Sequence, residues 1–511
     1  MTVLATVCLV LLLATGWLWR LARQRALRGF SFAAATTLPF GVLALVALFT
    51  WVKMNVQWAW SACRLAPALG ILRGFPLYSP PDHGPINGWL YGPVAALCWL
   101  PAALARTPRG ALETAEIINL VLLVAPLFLA CLLSAETGLE QRVLAIWCGV
   151  AAAGSLLFFY PTWYMTAVLS ADTATAGLGV VACMLLCGPG PGRRRLSLAA
   201  ALTAAAFWSK QISAPLGLVQ ILWLLMSGRG AVIPRYLGLL VIWTAGMGLL
   251  FVTLFGATDM YFNMWVVPAS QHLVGGWPEA WKRMGAFILY ALPVGAICLL
   301  AWVARNRASP LPDERRSAPI LFLAAILLLP VGVLASLKIG ADINSVHSYY
   351  FLIAAAAAGV TALAAKRPAR YAPMVVVLAG ATLAGAFCEA RWRSSLGVSL
   401  GWDTNEAAFE FARTRPGEAY FPWDPLATLL AENRYYHFEY GVQDRLYAGL
   451  KPTPEQIEEG LPRRLRLIIY PIAGMKGLMV TLKGPYSGET LSGPWTIFRY
   501  EHAPAGRSPS D

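Results

Sequence analysis

The sequence predicts an all-α polytopic membrane bundle of about 12 transmembrane helices plus an interfacial helix, with a small C-terminal external α/β domain. Three observations predict it. Apolar runs long enough to cross a bilayer recur from Thr2 to about Cys388. A polar stretch then breaks the rhythm and alternates helix-like and strand-like patches. Apolar residues make up 58% of the chain and charged residues 13%, against about 25% charged in an ordinary soluble domain. A soluble fold of that composition would expose too much apolar surface to stay dispersed.

The formal net charge of +14 does not point to nucleic acid. Much of the excess sits in short loops between apolar runs, where the positive-inside rule puts it. Most of the 9 cysteines lie within apolar segments, and none follows Cys388. No disulfide framework and no metal-ligand spacing emerges.

The elements follow in order. Thr2–Trp19 has no basic segment before it, and arginines follow it in place of a small-residue cleavage site, so it is expected to be a retained helix. The basic clusters Arg20–Arg28, Arg193–Arg195, Arg229–Arg235, Arg305–Arg316 and Lys366–Arg370 are placed in the cytoplasm. Alternation between them puts both termini outside. Phe32–Val52 then leads outward into a first external loop, residues 53–88. Counting back from Arg193, Ala171–Cys187 must run inward, so Asp172 is external.

These two counts agree only if one apolar run between them does not cross. Residues 89–105 are short, contain Pro93 and Pro101, and follow a Gly/Pro-rich loop, so they are expected to lie in the interface or re-enter. Leu196–Met226 is too long for one span and is broken at Ser209-Lys210-Gln211-Ile212-Ser213. It reads as two short helices meeting at the external face. The membrane part thus covers residues 1–389. Residues 390–511 form the external domain, with helices expected at Asn405–Arg413 and Pro425–Asn433 and strands at Glu418–Phe421, Leu465–Tyr470 and Trp495–Tyr500.

With that sidedness, polar groups collect on one face. The first loop contributes Arg64, Arg73, Asp82, His83 and Tyr91 at its end, followed by Asp172 and then Lys210-Gln211. A late loop contributes Lys338, Asp342, Asn344 and His347. A polar face over a helical bundle suits a lipid-linked substrate, whose tail stays in the bilayer while its headgroup reacts at the interface.

Several stretches resemble integral-membrane glycosyltransferases of the GT-C type. "GILRGFPLYSPPDHGPINGWLYGP" (Gly70–Pro93) is similar to that family's first external loop, and "SADTATAG" (Ser170–Gly177) to the Asp-containing start of a later helix. "AAFWSKQISAPLGLVQILWLL" resembles its Lys-containing helical break, and "KIGADINSVHSYYF" a late external loop of some members. The motifs fall in family order over nearly the whole membrane part. The family includes protein mannosyltransferases, aminoarabinose transferases of lipid A and cell-wall arabinosyltransferases. The resemblance implies a sugar moved from a polyprenyl-phosphate donor to a glycan, lipid or protein acceptor at the extracytoplasmic face of a plasma (inner) membrane. One departure stands out: many members carry an acid soon after the helix that enters the first loop, and here that region reads Lys53-Met54-Asn55-Val56-Gln57.

Such a reaction needs one carboxylate to take the acceptor proton. It also needs cations or backbone N–H groups to hold charge on the departing phosphate. Asp172 and Asp82 are the candidate catalytic residues. Lys210, Gln211, Arg64, Arg73, His83, Tyr91, Lys338, Asp342, Asn344 and His347 are the candidate substrate-binding residues. No cofactor is read from these residues, and Asp82-His83 with a distant His272 or His347 would suit a divalent cation.

Each has a plainer reading. Asp172 would serve as a helix cap, Asp82 as a turn residue and Lys210 as a snorkelling side chain. Arg64 and Arg73 would face lipid headgroups. Lys338, Asp342 and His347 would form a local ion pair. Two other functions also fit a polytopic chain. A transporter or lipid flippase predicts inverted repeats and charged or broken helices at mid-membrane, whereas here no repeat stands out and the ionisable groups gather on one face. The missing acid near Asn55 leaves room for a degenerate, non-catalytic member of the same family.

Overall fold

Proline and the carbonyls that helix ends leave unpaired dictate how one end of this molecule is assembled. The structure, a computed structural model, describes residues 59–134, 168–187, 190–289, 291, 318–341, 343–364, 404–471, 486–490 and 495–500. The first two expected spans, the residues around Asn55, Asp342, the basic clusters at 20–28, 305–316 and 366–370, and the division at 389 lie outside these residues.

Helix α1 (Ala59–Ile71) opens the described chain. The loop that follows ends in α2 (Pro93–Cys98), which has Pro at its first turn and no backbone N–H to lose there. A 3-10 turn, Leu100–Leu104, restarts at Pro101. Both pieces are too short to cross a bilayer.

Helix α3 (Pro108–Ser134) has 27 residues and rises about 40 Å at 1.5 Å per residue. Then come α4 (Ala171–Leu185), α5 (Arg193–Phe207), a 3-10 turn at Gln211–Ser213, α6 (Pro215–Met226) and α7 (Ile233–Phe255). The interruption expected at 209–213 is therefore present, with Pro215 starting the second helix. After α8 (Ala257–Tyr261) the backbone widens into a π turn, Phe262–Val266, and closes with α9 (Val267–Ser270). A helix over residues 276–289, then α10 (Ala318–Ser336) and α11 (His347–Ala364), complete the described bundle.

Among the described residues, Pro108–Ala130, Gly230–Phe255 and Ala318–Ser336 are helical, long and apolar enough to span a membrane. Helix α7 leaves Val241, Ile242, Leu249, Leu250 and Leu254 exposed, the face that hydrocarbon would cover.

The C-terminal part comprises α12 (Thr404–Thr414), α13 (Pro425–Glu432), α14 (Glu439–Tyr447) and α15 (Pro454–Glu459) around a sheet of four strands. The strands are β1 (Ala419–Tyr420), β2 (Leu467–Pro471), β3 (Tyr486–Thr490) and β4 (Trp495–Tyr500), in spatial order β1-β2-β4-β3. β1 runs parallel to β2, and the other pairs are antiparallel. Helix α13 starts at the Asp424 cap and Pro425. Three strands and two helices lie within a few residues of their expected positions. β3, α14 and α15 have no counterpart in the expectation: β3 reads YSGET and α14 EYGVQDRLY, neither with a clear apolar period.

Two large apolar cores form, besides a small cluster around Phe421 and Ile469 within the C-terminal part. One lies inside the bundle, with Leu127, Val180, Leu216, Ile320 and Phe351. The other joins Leu65, Leu69, Trp89 and Trp99 of the 59–105 region to Leu426, Phe438 and Tyr470. The C-terminal part thus shares its core with the first loop.

Candidate active site

Ser170 begins the site. It takes extended backbone ahead of α4 and accepts the Asp172 N–H on its hydroxyl at 3.3 Å. It is the helix cap, a role that the plain reading had given to Asp172. The same hydroxyl donates to Asp172 Oδ2 at 2.6 Å. Asp172 is only 1% exposed, and a carboxylate at that depth needs partners.

Lys210 supplies the charge. Its Nζ donates to Asp172 Oδ1 at 2.6 Å, with the lysine side chain 13% exposed. The break after α5 aims it there. Lys210 has extended backbone, and the carbonyls of Trp208 and Ser209, unpaired at the helix end, accept from the N–H groups of Val94 and Gly92 at 3.1 and 3.0 Å. The start of α2 therefore caps the end of α5. A Cβ at residue 92 would fall on the Trp208 carbonyl, so only glycine permits this approach. Tyr91 is carried along, and Lys210 Nζ sits 5.4 Å from its ring centroid.

The late loop closes the other side. Asn344 Nδ2 donates to Asp172 Oδ2 at 3.4 Å. His347, 1% exposed, lies within electrostatic reach of Asp172, Lys210 and Arg64. Neither of its buried ring nitrogens has a hydrogen-bond partner among the described residues. Arg64 of α1 donates from Nη1 to the Leu169 carbonyl at 2.9 Å and stands 5.6 Å over the Trp60 ring.

Six of the residues singled out from sequence thus converge: Asp172, Lys210, Tyr91, Asn344, His347 and Arg64. The others have different partners. Asp82 is exposed, with its side chain at 79%, and pairs with His83 at 2.8 Å. The His83 ring holds its carboxyl below the usual aspartate range. His347 lies with Asp172 rather than with Asp82-His83, so those three do not form one ligand set. Arg73 donates to Leu429 O and Asn433 Oδ1 of the C-terminal part. Gln211 Nε2 donates to Met264 O at 3.4 Å. Lys338 Nζ donates to Pro268 O at 2.6 Å, and burial draws its pKa down.

Sequence reasoning missed Ser170, which its place two residues before Asp172 at a helix start could have flagged. It also missed Tyr440 and Asp444, which carried no signal. Chemically, a buried carboxylate, two cations and an imidazole make a cradle for an anion with a neighbouring group able to take a proton.

Solved structures bear on this arrangement. A crystal structure of ArnT from Cupriavidus metallidurans bound to undecaprenyl phosphate superimposes with a TM-score of 0.58 at 11% identity, covering 92% of this chain and 99% of that one. The same protein in the apo state gives 0.55 at 12% identity, covering 93% and 100%. The likeness is one of fold. The GT-C resemblance read from the sequence therefore holds for the architecture of nearly the whole chain. No family model and no curated protein sequence matches it.

Proposed function

We propose that this protein is a membrane glycosyltransferase that moves a sugar from a polyprenyl-phosphate donor to a glycan, lipid or protein acceptor at the extracytoplasmic face. It would sit in the inner membrane with about 12 spans, with its C-terminal part outside. The observation that carries the reading is the buried Asp172–Lys210 pair at the mouth of the bundle, with Arg64 beside it. The fold adds weight, because the ArnT structure that shares it holds undecaprenyl phosphate.

In this reading the lipid tail lies among the helices and the phosphate reaches Lys210 and Arg64. As the sugar–phosphate bond opens, negative charge grows on the phosphate oxygens, and these fixed cations stabilise it without reorganising. Asp172 keeps Lys210 in place. Its two oxygens accept from Lys210, Ser170 and Asn344, which suits a group that orients a cation. His347, with its ring nitrogens unpartnered among the described residues, would meet the sugar or the phosphate.

The test is turnover of a panel of undecaprenyl-phosphate-linked sugars by the purified protein in lipid nanodiscs. One donor should be cleaved, with its sugar transferred or released. Lys210→Ala should weaken binding of that donor ~10- to 100-fold, the value of ~1.5–3 kcal/mol for a charged hydrogen bond. If the wild type carries labelled donor across vesicles without cleaving it, transport replaces this reading.

A further inference from the structure

With both oxygens of Asp172 engaged, the acceptor proton needs another destination. Helix α14 of the C-terminal part offers one. Residues 440 and 444 are one turn apart and share a helix face. Tyr440 packs its ring 5.8 Å from Trp60 of α1, and its backbone neighbour Gly441 lies against Gly88 of the first loop. The Tyr440 hydroxyl is buried without a partner among the described residues, within electrostatic reach of Tyr91, Arg64 and Asp444. Buried hydroxyls are seldom left unpaired, so this one marks a place where a ligand group belongs.

Asp444 stands beside it. Gln271 Nε2 donates to its Oδ1 at 3.2 Å, and among the described residues nothing bonds Oδ2. Arg64 is within electrostatic reach of both Asp444 and His347, which links this group to the Asp172–Lys210 cradle. We propose that Asp444 is the general base for the acceptor, and that the Tyr440 hydroxyl binds the acceptor beside it, so that the C-terminal part completes the active site. The inference rests on the glycosyltransferase reading.

In the step, the acceptor O–H proton passes to Asp444 Oδ2 while the acceptor oxygen bonds the anomeric carbon. The bond from that carbon to the phosphate oxygen breaks, and its electron pair leaves with polyprenyl phosphate. Asp444 later gives the proton to solvent. Burial pushes the Asp444 carboxyl up to about 7, against the opposing pull of Arg64 and the Gln271 bond. A base poised there is matched to work at neutral pH. Tyr440, Gln271 and Arg64 are the groups that face it.

The experiment measures cleavage of undecaprenyl-phosphate-linked sugars, with water as acceptor, together with binding of undecaprenyl phosphate, for wild type, Asp444→Asn, Asp444→Glu and Tyr440→Phe. Asp444→Asn should bind undecaprenyl phosphate within ~3-fold of wild type yet turn over ~100-fold or more slowly, the value of a positioned base. The wild-type kcat/KM should fall as pH drops below about 7, and that limb should vanish in Asp444→Asn. Asp444→Glu should recover part of the rate, and Tyr440→Phe should slow cleavage while leaving undecaprenyl phosphate binding within ~3-fold of wild type. A wild type that turns over donor while Asp444→Asn keeps its rate and its pH profile overturns the inference and leaves the glycosyltransferase reading standing. Loss of lipid binding along with turnover in both Asp444 variants assigns Asp444 to folding and also overturns it. A wild type that neither binds nor cleaves any donor removes both.

Discussion

A single imidazole ties the first loop to the C-terminal part. Ile86 N–H donates to His437 Nδ1 at 2.9 Å, and Nε2 meets the carbonyls of Gln456 and Ile457, each at 3.0 Å. These partners require neutral imidazole with its proton on Nε2. Burial draws the His437 pKa from 6.5 down to about 4. Above pH 6.5 neither the folded nor the unfolded state takes the proton. Between about 6.5 and 4 the unfolded chain takes it and the folded one does not, so stability falls with pH by about 3 kcal/mol in all. Burial raises the carboxyls of Asp424 and Asp444 to about 7. They act with the opposite sign, costing stability as pH rises, but they are common to wild type and variant. His437→Gln should therefore melt below wild type at pH 7, and the gap should narrow by pH 4.5. A gap that stays constant in paired thermal melts would refute the assignment. At this scale, residues were legible where chemistry and hydropathy disagreed. Lys210 and Asp172 stood out as ionisable residues against apolar helices. Asp82 was equally visible but sits exposed, because a Pro/Gly turn offers an aspartate local bonds without burying it. Asp444 could not be seen, since an aspartate in a polar helix looks like any solvated one.

The elements that matter are the two broken ones. The interruption at 209–213 was legible because an apolar run of that length cannot be one span, and the 89–105 segment was legible through its prolines and the parity of the basic loops. What pattern could not supply was that these two pieces hold each other. Gly92 and Val94 donate to the carbonyls of Ser209 and Trp208, a tertiary pairing with no sequence period. Gly92→Ala tests it. The new methyl would collide with the Trp208 carbonyl, forcing α2 away and freeing two buried acceptors at ~1–3 kcal/mol each. Lys210 would lose its aim at Asp172. Weaker binding of undecaprenyl phosphate, by ~10-fold or more, and a lower melting temperature are expected. Unchanged binding would mean that Lys210 is positioned by α5 alone.

Over the whole molecule, the sequence divides into an apolar part and a polar tail, and a tail attached by a linker would be free to move. The second core contradicts that image: Trp60 packs edge-on to Trp423 at 5.3 Å, and Phe75 stacks on Tyr435 at 4.9 Å. Hydropathy sorted these residues by composition and could not see that the 59–105 region would be their partner. Arg445 is the polar fastening. Its guanidinium donates to the carbonyls of Pro80 and Pro81 at 2.7 and 2.8 Å and to Ser79 at 3.4 Å, and it lies 5.1 Å from the Phe262 ring. Phe262 is presented by the π turn, a backbone irregularity that often serves a functional position. Arg445→Ala would take away the guanidinium bonds to Pro80 and Pro81, leaving Ser79 with Asn263 and Pro80 with Gln456, and should cost ~1.5–3 kcal/mol, the value of hydrogen bonds to a charged group. Arg445→Lys should rescue little, because an ammonium cannot reproduce the planar fork. The bonds of Arg445 go to residues 79–81 and Gln456 rather than to Asp172 or Lys210, so binding of undecaprenyl phosphate should persist while α14 loses its seat over Arg64. Limited proteolysis should then cut the 404–471 region faster than in wild type, and donor turnover should fall in step with the cutting rate. If Arg445→Ala resists protease as well as wild type and keeps its rate, the C-terminal part is held by its apolar core alone and the carbonyl clamp is dispensable.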